Sequence, residues 1–234
     1  MATEETPQNM QSTQSTQAAQ DITREIVQQA RERRLVTLAL AEQVKEDRWR
    51  DRILDDNTRT IHDVLAHVLA WDEWATAVFE LSAVRALPEK LVTAMRDIDA
   101  FNARAAKRYE GLSRIDLLSG LQAASGRLIS GAIGRGDPAW YRRRIDDLAE
   151  LRSILEQRQT GDTSAPAVPS VDRQAPQDGQ QAKGPSVGGL LRMLATHERE
   201  HDEQISGAFA ITVDLEQMRR EMTEQSTAAQ TPVS

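Results

Sequence analysis

Two histidines four residues apart, His197 and His201, lie inside a stretch from Leu190 to Ser206 that is rich in helix formers. Four residues of an α-helix turn through about 400°, so both imidazoles leave the same face one turn apart. Leu190, Leu194, Ile205 and Ala208 extend that face, which places the pair in the stripe that packs against other helices. The chain has four histidines, and the other two, His62 and His67, share one further stretch of the same character, residues 60–79. There Val64, His67, Trp71, Trp74 and Val78 fall on one line, so His67 belongs to the apolar face. His62 sits in the first turn, rotated away, and is expected at the surface.

A buried cluster of imidazoles without a cation leaves ring nitrogens unpaired. His67, His197 and His201 are therefore the candidate ligands of one divalent ion, in a bundle core where facing helices supply the donors. Three protein ligands leave a coordination position open, at which an ion lowers the pKa of water or of a substrate heteroatom. All-imidazole ligation suits zinc, nickel, copper or iron and does not choose among them. Asp63, one turn before His67, and Glu198 and Asp202, beside the α-helical pair, are candidates to orient the rings. Trp71, one turn from His67, is a candidate for both packing and substrate contact.

The elements that must position these residues are all helical. Residues 1–19 are Gln, Thr and Ser with almost nothing apolar, which predicts a disordered tail. A first helix is expected from Asp21 to about Arg50, and a turn follows at Asp55, Asp56 and Asn57. Thr60 and Asp63 have the form of a capping box that opens a second helix. Pro88 opens a third segment that Gly111 closes, and a further helix is expected from Ser113 to Ile133. Gly134, Gly136 and Pro138 break it, and helix resumes from Trp140 to Gln159. Residues 160–188 have scarcely any large apolar side chain and read as a flexible insertion. The last helix runs from about Gly189 to Glu221, and 222–234 is a second disordered tail. With no strand alternation of useful length, the class is all-α, an antiparallel four-helix bundle spanning residues 20–221.

With no cysteine in the chain, disulfides, thiolate metal sites and a cysteine nucleophile are excluded. No apolar run approaches the roughly 20 residues needed to span a bilayer, and the N-terminus lacks the order of a secretion signal. The expectation is a cytoplasmic protein with no membrane association. A formal net charge of -7 offers nucleic acid no general attraction, so the expected partner is a small-molecule substrate.

The residues carrying the histidines also resemble a family. Thr-Ile-His-Asp-Val-Leu-Ala-His-Val-Leu-Ala-Trp-Asp-Glu-Trp, residues 60–74, resembles the second-helix motif of the DinB-like superfamily. Residues 190–205, Leu-Leu-Arg-Met-Leu-Ala-Thr-His-Glu-Arg-Glu-His-Asp-Glu-Gln-Ile, look like its last-helix motif. Residues 97–104 are similar to the third-helix region of the branch that includes the colibactin self-resistance proteins. The resemblance covers roughly residues 20–210. It implies a four-helix bundle, often a homodimer, with a three-histidine divalent-metal site on His67, His197 and His201. It further implies a thiol-dependent transferase or hydrolase-like enzyme acting on a small electrophile, with mycothiol, bacillithiol or glutathione as the thiol co-substrate. Two other readings stand beside it. His197-Glu198-Arg199-Glu200-His201 satisfies the H-E-x-x-H pattern of zinc peptidases, in which the glutamate activates water. That pattern leaves His67 unexplained. The third is a non-catalytic stress-response or self-resistance binding protein.

Overall fold

The computed structural model describes residues 7–53, 59–82, 86–135, 138–148 and 184–220, with side chains of the first helix from Arg24 onward. Helix α1 (Pro7–Gln43) reaches back into the stretch expected as a tail. Pro7 suits a first helical position, where its missing N–H has no helical partner to lose. The helix stops at Gln43 and not near Arg50, because Lys45 is extended and a 3-10 turn, Glu46–Arg48, follows. That turn delivers Trp49 into the core, where the Arg114 guanidinium lies over its ring at 4.7 Å. The expected turn at Asp55–Asn57 and the tail at 222–234 lie outside the described residues.

Helix α2 (Ile61–Ser82) begins with the capping box read from the sequence. Thr60 N–H donates to Asp63 Oδ2 at 2.9 Å, and Asp63 N–H donates to Thr60 Oγ1 at 3.2 Å, so two orphan donors are satisfied reciprocally. The segment after Pro88 is two helices, α3 (Glu89–Arg96) and α4 (Ile98–Tyr109). Asp97 breaks it at φ -134° and caps α4 by accepting from Ala100 N–H at 2.9 Å. Ser113 caps α5 (Arg114–Arg135) in the same way, accepting from Asp116 N–H at 3.1 Å. Of the helix expected over 140–159, the described residues hold α6 (Pro138–Arg142) and a 3-10 turn, Asp146–Leu148, and residues 149–159 lie outside them. Most of the 160–188 insertion lies outside the described residues.

Helix α7 (Val187–Phe209) starts at Ser186, whose hydroxyl accepts from Gly189 N–H at 3.0 Å. Its approach requires glycine at 184, where a Cβ would stand 1.7 Å from Ile145 O. The helix does not run on to Glu221. Ala210 adopts the left-handed conformation at φ 50°, and Ser206 Oγ donates to Ile211 O at 2.6 Å, which closes the last turn before residues 215–220 resume as helix.

The main layers are α1 on α7 and α2 on α5. Directions follow from the contacts. Ile26 meets Gly188 and Thr37 meets Asp202, so α1 and α7 run the same way. Leu69 meets Gly120, and His62 meets Leu112 just before α5, so α2 and α5 also share a direction, opposite to α1. Arg114 bonding Ala41 O while Arg34 bonds Leu121 O fixes α1 and α5 as antiparallel. The bundle is therefore up-down-down-up, and the parallel succession of α2 and α5 requires a crossover, which α3 and α4 supply. Helix α2 is buried almost all round, from Ile61, Val64 and Leu65 to Trp74, Val78 and Phe79, as a helix covered on several sides must be. Among the described residues no helix is long and apolar enough to cross a membrane.

Candidate metal centre

Because α2 packs on α7, the three histidines read from the sequence converge. His67 Nε2 lies 2.9 Å from His197 Nε2, and His201 Nε2 lies 3.1 Å from the same atom. His67 and His201 are buried and His197 is half-buried. The three form the group among the described residues whose ligand atoms lie within 4.8 Å of one another and can hold a metal ion. Tetrahedral ligation at about 2.0 to 2.1 Å sets donor nitrogens about 3.3 Å apart, so the His67–His197 and His197–His201 separations need to widen by only a few tenths of an ångström.

The protonation states suit such a site. Burial, then the neighbouring charge of His197, His201 and Arg59, pushes the His67 pKa down to about 2, so its ring is neutral with a lone pair to offer. Burial likewise lowers His201. His201 Nδ1 lies 2.7 Å from Gln204 Oε1; an amide oxygen only accepts, so the ring proton belongs on Nδ1 and the Nε2 lone pair faces inward. Gln204 is an orienting residue that the motif reading missed, though the i,i+3 spacing from His201 was available to find it.

Trp71 borders the cluster. Its ring sits edge-on to His67 at 6.2 Å and to His197 at 6.5 Å between centroids, and it packs on Phe101 at 4.5 Å and Trp74 at 5.3 Å. Its Nε1–H donates to Asn102 Oδ1 at 3.2 Å. Asn102 also favours the charged form of His67, yet His67 Nδ1 has no partner in hydrogen-bond geometry. The geometry decides, and Asn102 is a neighbour of that ring and not its orienting acceptor. Arg59 adds positive charge close enough to lower both His67 and His201.

The three carboxylates expected to orient the imidazoles point elsewhere. Asp63 is consumed by the capping box. Glu198 and Asp202 stand about 100° round α7 from the histidines that precede them and face α1. Arg34 Nε lies 2.8 Å from Glu198 Oε1, and Arg34 Nη2 donates to Asp72 Oδ2 at 2.6 Å. The Nε–H is not aimed at its oxygen, so the contact with Glu198 is an ion pair and not a directed hydrogen bond. Arg34 Nη1 donates to Leu121 O at 3.2 Å. Thr37 Oγ1 lies 2.7 Å from both Glu198 Oε1 and Asp202 Oδ1 and has one hydrogen to give. Burial pushes Asp202 up to about 7; when protonated it donates to Thr37, which then donates to Glu198.

His62 is corrected as well. It is 1% exposed and its Nε2 lies 3.2 Å from Leu112 O, so it is a core residue between α2 and the start of α5, apart from the cluster. Comparison with protein-family models, with curated proteins and with solved structures finds no match.

Proposed function

We propose that this chain is a divalent-metal-binding helical bundle in which His67, His197 and His201 hold one ion, and that it acts as a thiol-dependent transferase or hydrolase-like enzyme on a small electrophile, as its resemblance to the DinB-like superfamily implies. The observation that carries the reading is the convergence of three buried or half-buried imidazole nitrogens from two helices. A bound divalent ion with an open position supplies Lewis acidity that lowers the pKa of a thiol or water to near neutrality. The chain's own residues do the rest. Gln204 fixes the His201 tautomer, Trp71, backed by Phe101, borders the site with apolar surface, and Arg59 places a positive charge suited to a thiolate or carboxylate.

The peptidase reading assigns Glu198 as the general base, within reach of a water on the ion. Its engagement by Arg34 and Thr37 on the α1 side speaks for the transferase reading instead. The test is elemental analysis of untagged protein, followed by an activity screen of small electrophiles with bacillithiol, mycothiol or glutathione beside a casein substrate. The expected result is one equivalent of metal and thiol-dependent turnover that Glu198→Gln retains in large part. Metal-dependent casein cleavage that Glu198→Gln abolishes would replace this function with the peptidase, and metal-free protein after loading attempts would remove the metal centre.

A further inference from the structure

Charge around the three imidazoles is unbalanced, and the imbalance selects what they accept. Metal-ligating imidazoles are neutral, so a divalent ion on His67, His197 and His201 keeps both of its charges and becomes the largest local charge in the site. The acids nearby are occupied elsewhere. Asp63 Oδ2 takes the Thr60 N–H and hydroxyl, and Glu198 and Asp202 face Arg34 and Thr37. Glu200 is exposed, about 100° round α7 from His201. Among the described residues neither His67 nor His201 is bonded to a carboxylate; their ring partners are His197 and Gln204. His197 is half-buried and opens the cluster to solvent.

Arg59 adds to the excess of positive charge. Its backbone is pinned on both sides: Ile53 N–H donates to Arg59 O at 2.9 Å, and Thr60 pairs with Arg52 in an antiparallel bridge and caps α2. The residue is half-buried, and among the described residues its guanidinium has no hydrogen bond or ion pair. Side chains on a helix lean toward its N-terminus, so the His67 ring lies over the turn nearer Arg59. The Arg59 charge accordingly acts on both His67 and His201. A cation partly withdrawn from water gains from an opposite charge, and here the chain supplies none. The guanidinium fork matches a carboxylate, which it bonds through two N–H groups.

We propose that the centre takes a thiol that also carries a carboxylate, with the sulfur at the ion's open position and the carboxylate held by Arg59. The inference rests on the metal reading above and adds which thiols are preferred, acidic ones over neutral ones, with Arg59 as the residue that sets the preference. The test uses the full chain loaded with cobalt(II), with 3-mercaptopropionate and its neutral methyl ester as probes. Binding is read from the near-ultraviolet thiolate-to-cobalt charge-transfer band. The acid is expected to bind about tenfold more tightly than the ester in the parent, the effect of one charge-assisted contact. Arg59→Gln should abolish that preference by weakening the acid alone, and Arg59→Lys should restore part of it. Arg59→Gln should also bind cobalt at least as tightly as the parent, because a positive charge beside the ion is gone; an arginine that merely supported the fold would give the opposite. A preference that persists in Arg59→Gln puts the carboxylate on the ion, and equal binding of acid and ester by the parent takes it out of the site. Either result overturns the proposal and leaves the metal centre standing. Cobalt uptake with no thiolate band from either probe overturns the thiol-dependent reading as well, and a parent that takes up no cobalt overturns the metal centre and this inference together.

Discussion

Arg34→Met removes a guanidinium that bridges the two helices carrying the histidines. Asp72 lies five residues after His67 on α2, and Glu198 lies between His197 and His201 on α7; Arg34 contacts both, at 2.6 and 2.8 Å, with its side chain 6% exposed. Removing one partner of a buried ion pair costs about 3 to 5 kcal/mol, because the other charge is left uncompensated. Here two carboxylates are left, with Arg33 reaching only Asp202 at 3.9 Å, so the upper half of that range is expected at pH 8. Asp72 limits the loss at lower pH. Burial already holds it up at about 6 with Arg34 present, and without Arg34 it takes a proton more readily. At about 2 to 4 °C per kcal/mol for a chain of this size, the melting temperature at pH 8 should fall by roughly 8 to 20 °C.

The same variant should weaken metal binding by roughly 10- to 100-fold, the usual consequence of losing a group that positions ligands. Affinity would be measured by chelator competition at 15 °C, where the variant's circular dichroism shows it folded. Arg34→Lys is the informative companion, since it keeps the charge but lacks the planar fork that reaches two carboxylates at once; it should recover part of the stability and little of the affinity. If Arg34→Met melts within about 2 °C of the parent and binds metal as tightly, the bridge positions nothing and the reasoning fails.

Alanine at His67, His197 or His201 should each lower metal affinity by a similar and large factor, since each removes one of three ligands; normal binding by His67→Ala in a chelator competition would disconnect α2 from the site. His62→Ala should leave metal affinity unchanged but cost about 2 to 4 kcal/mol in urea unfolding, because it empties a 1%-exposed position and orphans the Leu112 carbonyl. The pH dependence of Asp72 has a definite sign. Its folded pKa, about 6, is raised above its ordinary value of 3.8, chiefly by burial, so its contribution is fully present below pH 3.8 and is lost as pH rises through about 6. The stability of the parent relative to Asp72→Asn, measured in urea at pH 4, 5, 6 and 7, should therefore be greatest at pH 4 and decline upward; a difference that grows toward pH 7 contradicts this assignment.

The helices were legible where apolar periodicity and caps coincide. Thr60 with Asp63 marked the start of α2 because both partners of the capping box are local and four residues long. The breaks were less legible because they depend on what the chain meets in three dimensions. Asp97 reads as one more polar residue in a helical run, but there it both interrupts the helix and caps the next one. Ala210 has no local reason to be left-handed; the closure by Ser206 and Ile211 that accompanies it cannot be seen from an alanine. His62 was misplaced on a helical wheel, which assigns a first-turn residue to solvent without knowing that α5 runs parallel to α2 and presents the Leu112 carbonyl there.

Helix α7 carries two stripes that share one sequence pattern. His197 and His201 form one i,i+4 pair, and Glu198 and Asp202 form another, offset by a single residue and hence by about 100°. A single residue of offset is enough to send the first pair toward α2 and the second toward α1. On the α2 side the partner is His67, whose lone pair completes a set of three nitrogens. On the α1 side the partners are Arg34 and Thr37, which give the acidic pair a structural occupation. The H-E-x-x-H spacing follows from this division without any demand that the glutamate reach the metal. What decides between base and anchor is therefore not the five-residue pattern but the residue types on the helix that faces the glutamate. A buried arginine at 34, itself tied to Asp72 on the helix of His67, makes Glu198 part of the frame that brings the three imidazoles together.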